Sequence, residues 1–198
     1  MRAALFLSLF LSSVALAAEP IFVMTTIPDL AAITKAVGGE RVKVDSIAKG
    51  FQDPHYVEAK PSFMRAINQA RLLFDVGLQL EIGWLPLLVQ GARNPGLAQV
   101  NLSQGISVLE RPTGPISRAQ GDIHPEGNPH YWLDPRNGVL MAGSIARELK
   151  ALAPTDGAYF EQNLKRFEAN LNRRRQVWEE RMAPLRGVNV VAYHKQWE

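Results

Sequence analysis

Strand-like and helix-like segments alternate along this chain, and that order limits the possible folds more than any other feature of its 198 residues. Four runs rich in apolar and β-branched residues are predicted strands, at 21–26, 42–48, 72–76 and 98–102. Helical spacing of apolar residues separates them, at 28–37, 61–70 and 81–92. The run at 72–76 is almost continuously apolar, which is typical of a strand covered on both faces. We therefore predict an α/β fold with a Rossmann-like parallel-sheet domain covered by helices.

The second half of the chain carries two longer helical segments and one more strand-like run. One helix begins at Asp134-Pro135 and runs to about Leu152, and the longest periodic segment covers 158–185. At 1.5 Å per residue that segment is about 40 Å long, which suggests a long backbone helix rather than one arm of a βα unit. Residues 188–193 again resemble a buried strand. Because one strand cannot form a sheet, the sequence looks truncated at its carboxyl end.

These segments predict three parts of the mature chain. An N-terminal α/β domain takes residues 18–155, and a long linking helix takes 156–186. Residues 187–198 then begin a second α/β domain, which is incomplete and contributes only its first strand. The long irregular stretch at 110–127 is rich in proline and glycine, which is typical of a functional or mobile loop within a compact domain.

Residues 1–17 have the order of features expected of a secretory signal peptide. A positive start at Met1-Arg2 precedes an apolar run, and Ala15-Leu16-Ala17 is a small-x-small cleavage site. A buried N-terminal helix is the weaker alternative, because it would not require this order. The chain contains no cysteine, which removes thiolate metal sites and a lipid-modified cysteine after the signal. We therefore predict a periplasmic protein without a lipid anchor.

The positive charge of the chain does not indicate a nucleic-acid partner. The formal net charge is +3, and its lysines and arginines are interleaved with acidic residues. The densest basic run, Arg173-Arg174-Arg175, is followed by Glu179-Glu180 and has no accompanying series of aromatic residues. A solvated helix face therefore explains this run better than a nucleic-acid patch.

Three histidines in separate segments are the candidate functional residues. His55 lies in an Asp-Pro-His-Tyr sequence, His130 in Asn-Pro-His-Tyr-Trp-Leu-Asp-Pro, and His194 in Ala-Tyr-His-Lys. His55 and His194 each follow a predicted strand, and ligands of open α/β sheets bind beyond the carboxyl ends of strands. Three imidazoles suit zinc and leave one tetrahedral position for water or a carboxylate; copper would also bind them, whereas manganese prefers more oxygen ligands. The alternative is that these are unrelated surface or core histidines.

Several neighbours of these histidines have two possible roles. Asp134 can cap the helix that Pro135 opens, or it can orient a metal-binding histidine. Asp53 and Glu58 flank His55 and can act as a general base, although such loop carboxylates more often form turns or face solvent. Aromatic residues nearby are expected to pack in the core or beside the site: Trp84, Tyr131 and Trp132.

At these motifs the chain resembles solute-binding proteins of bacterial zinc/manganese ABC uptake transporters, known as solute-binding protein family 9. The matching segments are 53–55 with the helix start at 60–62, then 129–135, then 191–194. The resemblance implies two α/β domains joined by a long rigid helix. It also implies a metal bound between the domains by residues matching His55, His130 and His194. A histidine at the third position resembles the zinc branch, since a carboxylate is usual in the manganese branch.

Two departures from the family pattern concern the metal ligands. The family's fourth ligand is an Asp or Glu that would lie beyond residue 198. Members of the zinc branch often carry a histidine-rich acidic loop before the second ligand, whereas 110–127 holds one histidine, His124. His124 is either an auxiliary ligand or an ordinary loop residue.

The resemblance and the histidines together predict a metal receptor that is not an enzyme. It would capture zinc, in preference to manganese, in the periplasm and deliver it as a monomer to an ABC transporter permease. A zinc hydrolase is the first alternative, but the chain lacks a His-Glu-x-x-His helix. A surface adhesin that uses the same fold is the second.

Overall fold

A four-stranded parallel sheet forms the centre of the computed structural model, which describes residues 19–115, 124–192 and 194–197. The strand order is β2-β1-β3-β4, and all three pairings are parallel. The strands are β1 Ile21–Thr25, β2 Val42–Ser46, β3 Leu72–Asp75 and β4 Ala98–Asn101. The predicted α/β fold class is therefore confirmed. The predicted signal peptide at 1–17 lies outside the described residues.

Five α-helices accompany the strands. They are α1 Pro28–Gly38, α2 Pro61–Gln69, α3 Leu85–Ala92, α4 Pro135–Leu152 and α5 Gly157–Met182. A proline lies at the first or second position of α1, α2, α3 and α4. The missing proline N–H costs nothing there, because the first N–H groups of a helix have no partner within it. Short 3₁₀ turns lie at Gly39–Arg41, His130–Leu133, Pro154–Asp156 and Ala183–Leu185.

The core lies around β3, the most buried strand. All four of its residues are buried, as the continuous apolar run predicts. Helix α1 contacts α4 and α5, while α2 contacts α3. Helix α5 is tied to the end of α1 by Asn163, whose buried amide donates to the carbonyl oxygen of Val37 at 2.9 Å. The edge strands are less buried, so the core is thickest where β1 and β3 meet.

The long helix predicted at 158–185 is confirmed. Helix α5 has 26 residues, which corresponds to about 39 Å at the α-helical rise of 1.5 Å per residue. Its first half packs against the domain, and Phe160 has no exposed surface. Its second half is exposed, with Trp178 at 42% and Met182 at 59%.

The predicted helix at 81–92 begins later than expected, at Leu85. The backbone that precedes it is left-handed at Gly77, Leu78 and Gln79, with φ of 78°, 51° and 65°. Residues 81–84 form turns, and Trp84, with φ of −142°, is the non-helical N-cap of α3. Pro86 has no N–H and is tolerated only in the first turn of a helix, so the helix begins beside it.

The strand predicted at 188–193 is not formed in its described part, 188–192. Val190 and Val191 are 91% and 100% exposed. No strand in the described ranges lies beside this segment, so its backbone N–H and C=O groups have no ladder to join. The apolar pattern correctly marks residues suited to a strand, but a strand also needs a neighbour.

Candidate metal site

The structure places His55, His130 and His194 side by side. One ring nitrogen from each residue lies within 4.8 Å of those of the other two. The Nε2 atoms of His130 and His194 are 3.1 Å apart. His55 and His130 are buried, with 9% and 6% of their surface exposed, and His194 is half-buried. A single ion can therefore contact all three predicted ligands.

Each histidine reaches this point from a different kind of segment. His55 lies in the loop between β2 and α2, beyond the carboxyl end of the sheet. His130 begins the 3₁₀ turn that precedes α4, and His194 follows the exposed segment after α5. The ring centroid of His55 lies 5.2 Å from that of His130 and 5.6 Å from that of His194. The site is thus a tertiary one that no local motif could form.

The same local device orients His55 and His130. Asp53 Oδ1 accepts hydrogen bonds from the His55 backbone N–H at 2.9 Å and from its ring Nδ1 at 2.7 Å. Asn128 Oδ1 accepts the equivalent bonds from His130 at 2.9 and 2.8 Å. Both are Asx-Pro-His sequences, in which the first side chain turns back onto the third residue.

This device prepares both rings for a metal. An Nδ1–H that donates to an oxygen leaves the Nε2 lone pair free to bind a cation and fixes the plane of the ring. Partial burial acts against ionisation of Asp53, but the hydrogen bonds from His55 outweigh it and lower the pKa of Asp53. Asp53 is therefore a charged acceptor, which makes the imidazole of His55 a stronger ligand.

The contacts of Asp53 with His55 favour an orienting role over the general-base hypothesis. The sequence interpretation did not predict this orienting role. The signal was present in the repeated Asx-Pro-His pattern at 53–55 and 128–130. Glu58, the other candidate, pairs with Lys60 at 3.4 Å and is exposed. Its interpretation as a solvated loop carboxylate agrees with this position.

Asp134 is a helix cap rather than a residue that orients a histidine. Its Oδ1 accepts the backbone N–H of Arg136 at 2.8 Å, and its carboxylate pairs with the guanidinium of the same residue. Partial burial works against ionisation, but the bonds from Arg136 lower the pKa of Asp134. The position beside His130 that the alternative required is taken by Asn128.

His124 contacts the edge of this cluster through His55, although it is not one of the three residues whose ring nitrogens all lie within 4.8 Å of one another. Its Nε2 lies 3.1 Å from Nε2 of His55, and its ring centroid lies 6.3 Å from that of His130. It lines a cavity of about 570 Å³ together with His55, Tyr56 and Trp84. The contact with His55 favours the interpretation of His124 as an auxiliary ligand over that of an ordinary loop residue.

The aromatic residues near the site are placed as predicted. Trp84 is 3% exposed and Tyr131 is 7% exposed, so both pack in the core. The ring of Trp132 lies 5.1 Å from that of His130.

Glu81 is a buried acid that the sequence did not single out. Its two carboxylate oxygens accept the backbone N–H groups of Val76 and Gly77 at 2.8 and 3.0 Å. Burial raises the pKa of Glu81 to about 7, and the negative charge of nearby Asp75 acts in the same direction. Burial likewise raises the pKa of Asp75. Asp75 is the last residue of β3, Glu81 lies in the loop that follows, and the charges of both act on Tyr131, the residue after His130.

Comparison with known families gives a match over most of the chain. The family model described as ZnuA, zinc-uptake complex component A periplasmic, matches residues 23–198. The chain belongs to the ZnuA family. This agrees with the resemblance to metal-transporter solute-binding proteins that the histidine motifs carry.

Curated relatives of this ZnuA-family chain are named as substrate-binding components of metal ABC transporters. The manganese ABC transporter substrate-binding lipoprotein PsaA of Streptococcus anginosus is 31% identical over 182 residues, 84% of this chain and 57% of that protein. The metal ABC transporter substrate-binding lipoprotein FimA of Streptococcus parasanguinis is 32% identical over 155 residues, 76% and 48% of the two chains. The chain thus spans about half the length of these relatives.

Solved structures of ZnuA share the fold. One ZnuA crystal structure is 28% identical with a TM-score of 0.78, covering 90% of this chain and 65% of that one. A zinc-bound deletion mutant of ZnuA gives 29% identity and a TM-score of 0.79 over the same shares. A manganese-bound periplasmic metal binding protein of Candidatus Liberibacter asiaticus, at 21% identity and a TM-score of 0.62, has the same fold over 83% of this chain and 55% of its own.

Among the described residues, no helix is both long enough and apolar enough to cross a bilayer. Helix α5 has the length, but its exposed face is densely charged.

Proposed function

We propose that this chain is the metal-binding part of a periplasmic receptor that captures zinc and delivers it to an ABC transporter permease. The observation that carries the proposal is the cluster of His55, His130 and His194, whose ring nitrogens lie within 4.8 Å of one another. Membership of the ZnuA family supports a transport role. We also propose that the chain has three parts: a domain at 18–155 that holds the first two ligands, a linking helix at 156–186 and the start of a second domain at 187–198.

Zinc is proposed ahead of manganese because of the donor atoms. The three ligands are imidazole nitrogens, which suit zinc, whereas manganese favours carboxylate and carbonyl oxygens. The nearest carboxylate, that of Asp53, is engaged by two N–H groups of His55. Relatives named for manganese and structures named for zinc both resemble this chain, so the choice of ion depends on the donor set.

We further propose that His124 supplies a fourth nitrogen. Two nitrogens bound to one tetrahedral zinc at about 2.0–2.1 Å are separated by roughly 3.3 Å. The His55–His124 and His130–His194 contacts, both 3.1 Å, are close to that spacing. His124 and His55 line the same cavity, so an ion in that cavity can contact both rings.

A receptor explains the site better than the hydrolase alternative does. Zinc hydrolases of the His-Glu-x-x-His type place a glutamate base beside the metal-bound water, and the chain has no such sequence. The carboxylates of Asp53 and Asp134 are occupied by His55 and by Arg136. The adhesin alternative stays a hypothesis, because it concerns a partner surface rather than the histidines.

A zinc competition titration of the purified chain against a chromophoric chelator tests the proposal. The wild type should bind one zinc ion per chain, and His130→Ala should abolish tight binding because it removes a buried ligand. Asn163→Ala is the matched control, since it removes a buried polar side chain of α5 that bonds to α1 and lies outside the cluster. It should lower stability and leave zinc affinity unchanged. Tight zinc binding by His130→Ala would overturn the proposed site.

A further inference from the structure

The loop that joins β3 to α3, residues 76–84, is bonded to the segment that carries His55. We call it the bracket loop. Its last residue, Trp84, is 3% exposed and donates its indole N–H to the carbonyl oxygen of Pro54 at 2.9 Å. Pro54 directly precedes His55. A shift of the bracket loop would therefore displace the backbone at Pro54, next to one candidate ligand.

The other end of the bracket loop is bonded to the segment that carries His130. Tyr131, which directly follows His130, is 7% exposed and donates its hydroxyl to the carbonyl oxygen of Val76 at 2.8 Å. Val76 is the first residue of the loop. The two candidate ligands, far apart in sequence, are thus attached to opposite ends of one short segment.

Glu81 closes the bracket loop on itself. Its carboxylate accepts the N–H groups of Val76 and Gly77, the first two residues of the loop. The following residues, Leu78 and Gln79, have φ of 51° and 65°, a left-handed backbone that non-glycine residues adopt only when their surroundings require it. Leu78 and Gln79 lie between the two bonded ends of this closed turn, so the bonds to Glu81 stabilise the loop in this conformation.

We propose that the bracket loop, closed by Glu81, sets the separation of His55 and His130, and that Trp84 and Tyr131 act on the metal as positioning residues. Neither side chain needs to touch the ion. The ring centroids of the two histidines lie 5.2 Å apart, and both rings are already oriented by their Asx partners. Those partners fix the direction of each ring, whereas the bracket loop fixes the distance between them. This inference rests on the proposed function, because it assumes that His55 and His130 bind the same zinc ion.

The test uses the full chain and two variants that each remove one bond to the bracket loop. Trp84→Phe removes the indole N–H, and Tyr131→Phe removes only the hydroxyl. Tyr159→Phe is the matched control, because its hydroxyl accepts the backbone N–H of Glu40 at 3.3 Å in a different part of the domain. Zinc affinity is measured by competition titration, and stability without metal by the Tm from circular dichroism.

Tyr131→Phe should lower Tm by roughly 2–4 °C for a chain of this size, and Tyr159→Phe by less, because its hydrogen bond is exposed and longer. Zinc affinity should fall roughly tenfold in Trp84→Phe and Tyr131→Phe, the lower end of the loss seen when partners that orient metal ligands are removed. It should be unchanged in Tyr159→Phe. The visible absorption of Co²⁺ bound in place of zinc should also change in the first two variants, because it reports the coordination geometry.

The possible failures can be told apart. If the wild type binds no zinc, the proposed function is wrong. If the wild type binds zinc, and Trp84→Phe and Tyr131→Phe bind it as tightly and with the same Co²⁺ spectrum, the bracket loop only stabilises the fold and the inference is overturned. If Trp84→Phe does not fold, the pair Tyr131→Phe and Tyr159→Phe decides the matter alone.

Discussion

The histidine cluster joins two regions that are held in different ways. His55 and His130 are buried in the packed domain, and each ring is fixed by an Asx side chain. His194 follows a segment whose valines at 190 and 191 are almost fully exposed. The segment that carries His194 contacts the domain through polar groups. His194 lies 3.1 Å from His130, and Lys195 forms an ion pair with Glu110.

Because of this difference, the rings of His55 and His130 are already oriented before a metal binds, whereas the ring of His194 is held less firmly. Ordering a loosely packed segment costs conformational entropy, which is subtracted from the binding free energy. Buried, hydrogen-bonded rings have already met that cost during folding. The packed region should therefore contribute more affinity per ligand than the carboxyl-terminal region.

The largest expected effect tests this comparison directly. His130→Ala should cost more zinc affinity than His194→Ala, because it removes a preformed ligand from the centre of the cluster, whereas His194→Ala leaves the buried pair and its orienting side chains in place. Competition titrations of the two variants under identical conditions give the ratio. Equal losses would show that the carboxyl-terminal region is as well ordered as the packed domain.

The second effect concerns the pH dependence of the packed region. The pKa of Glu81 is raised from 4.5 to about 7 in the folded chain, chiefly by burial. Between these values the folded state holds a proton that the unfolded state has lost, so the free energy of unfolding falls as pH rises through this window. The change is on the order of 3 kcal/mol at most, since each pKa unit corresponds to about 1.4 kcal/mol.

Urea unfolding of the metal-free chain at several pH values measures this dependence. In Glu81→Gln the slope between about pH 4.5 and 7 should be clearly smaller, although the variant is less stable throughout because an amide NH₂ then faces a backbone N–H group. An unchanged slope in Glu81→Gln would mean that Asp75 or another buried group is responsible.

The same contrast explains how far the sequence could predict the molecule. The four strands, the parallel sheet and the long helix follow from apolar periodicity, because their burial depends on neighbours within the domain. The turns at 81–84 were missed because the apolar spacing of the predicted helix includes them. Glu81 is typical of a helix by residue type, yet its carboxylate bonds back to Val76 and Gly77 in the loop before the helix. The predicted strand at 188–193 shows the opposite limit, since pattern without a neighbouring strand gives no sheet.

The candidate ligands could be named from the sequence, but not all of their contacts could. Histidine beside proline or an aromatic residue in three separate segments indicated His55, His130 and His194, and the structure brings these three side chains together. The contact between His124 and His55 joins residues far apart in sequence, and no periodicity predicts it. The orienting roles of Asp53 and Asn128 were encoded locally, in a repeated three-residue pattern, and could have been predicted.

The smallest expected effect separates the two members of the preformed pair. Asp53→Ala and Asn128→Ala should each lower zinc affinity by roughly 10- to 100-fold, because a released ring must be reoriented by the metal itself. Asp53→Ala should cost more than Asn128→Ala, since a charged acceptor strengthens the ligand more than a neutral amide does. The zinc affinity of Asp53→Asn should fall between those of the wild type and Asp53→Ala.

Asp134→Ala is the control, because Asp134 caps α4 and bonds to Arg136 rather than to a histidine. It should reduce the free energy of unfolding by about 1 kcal/mol and leave zinc affinity unchanged. If Asp134→Ala weakened zinc binding as much as Asp53→Ala, the Asx side chains would be supporting the loops in general and not the ligands in particular.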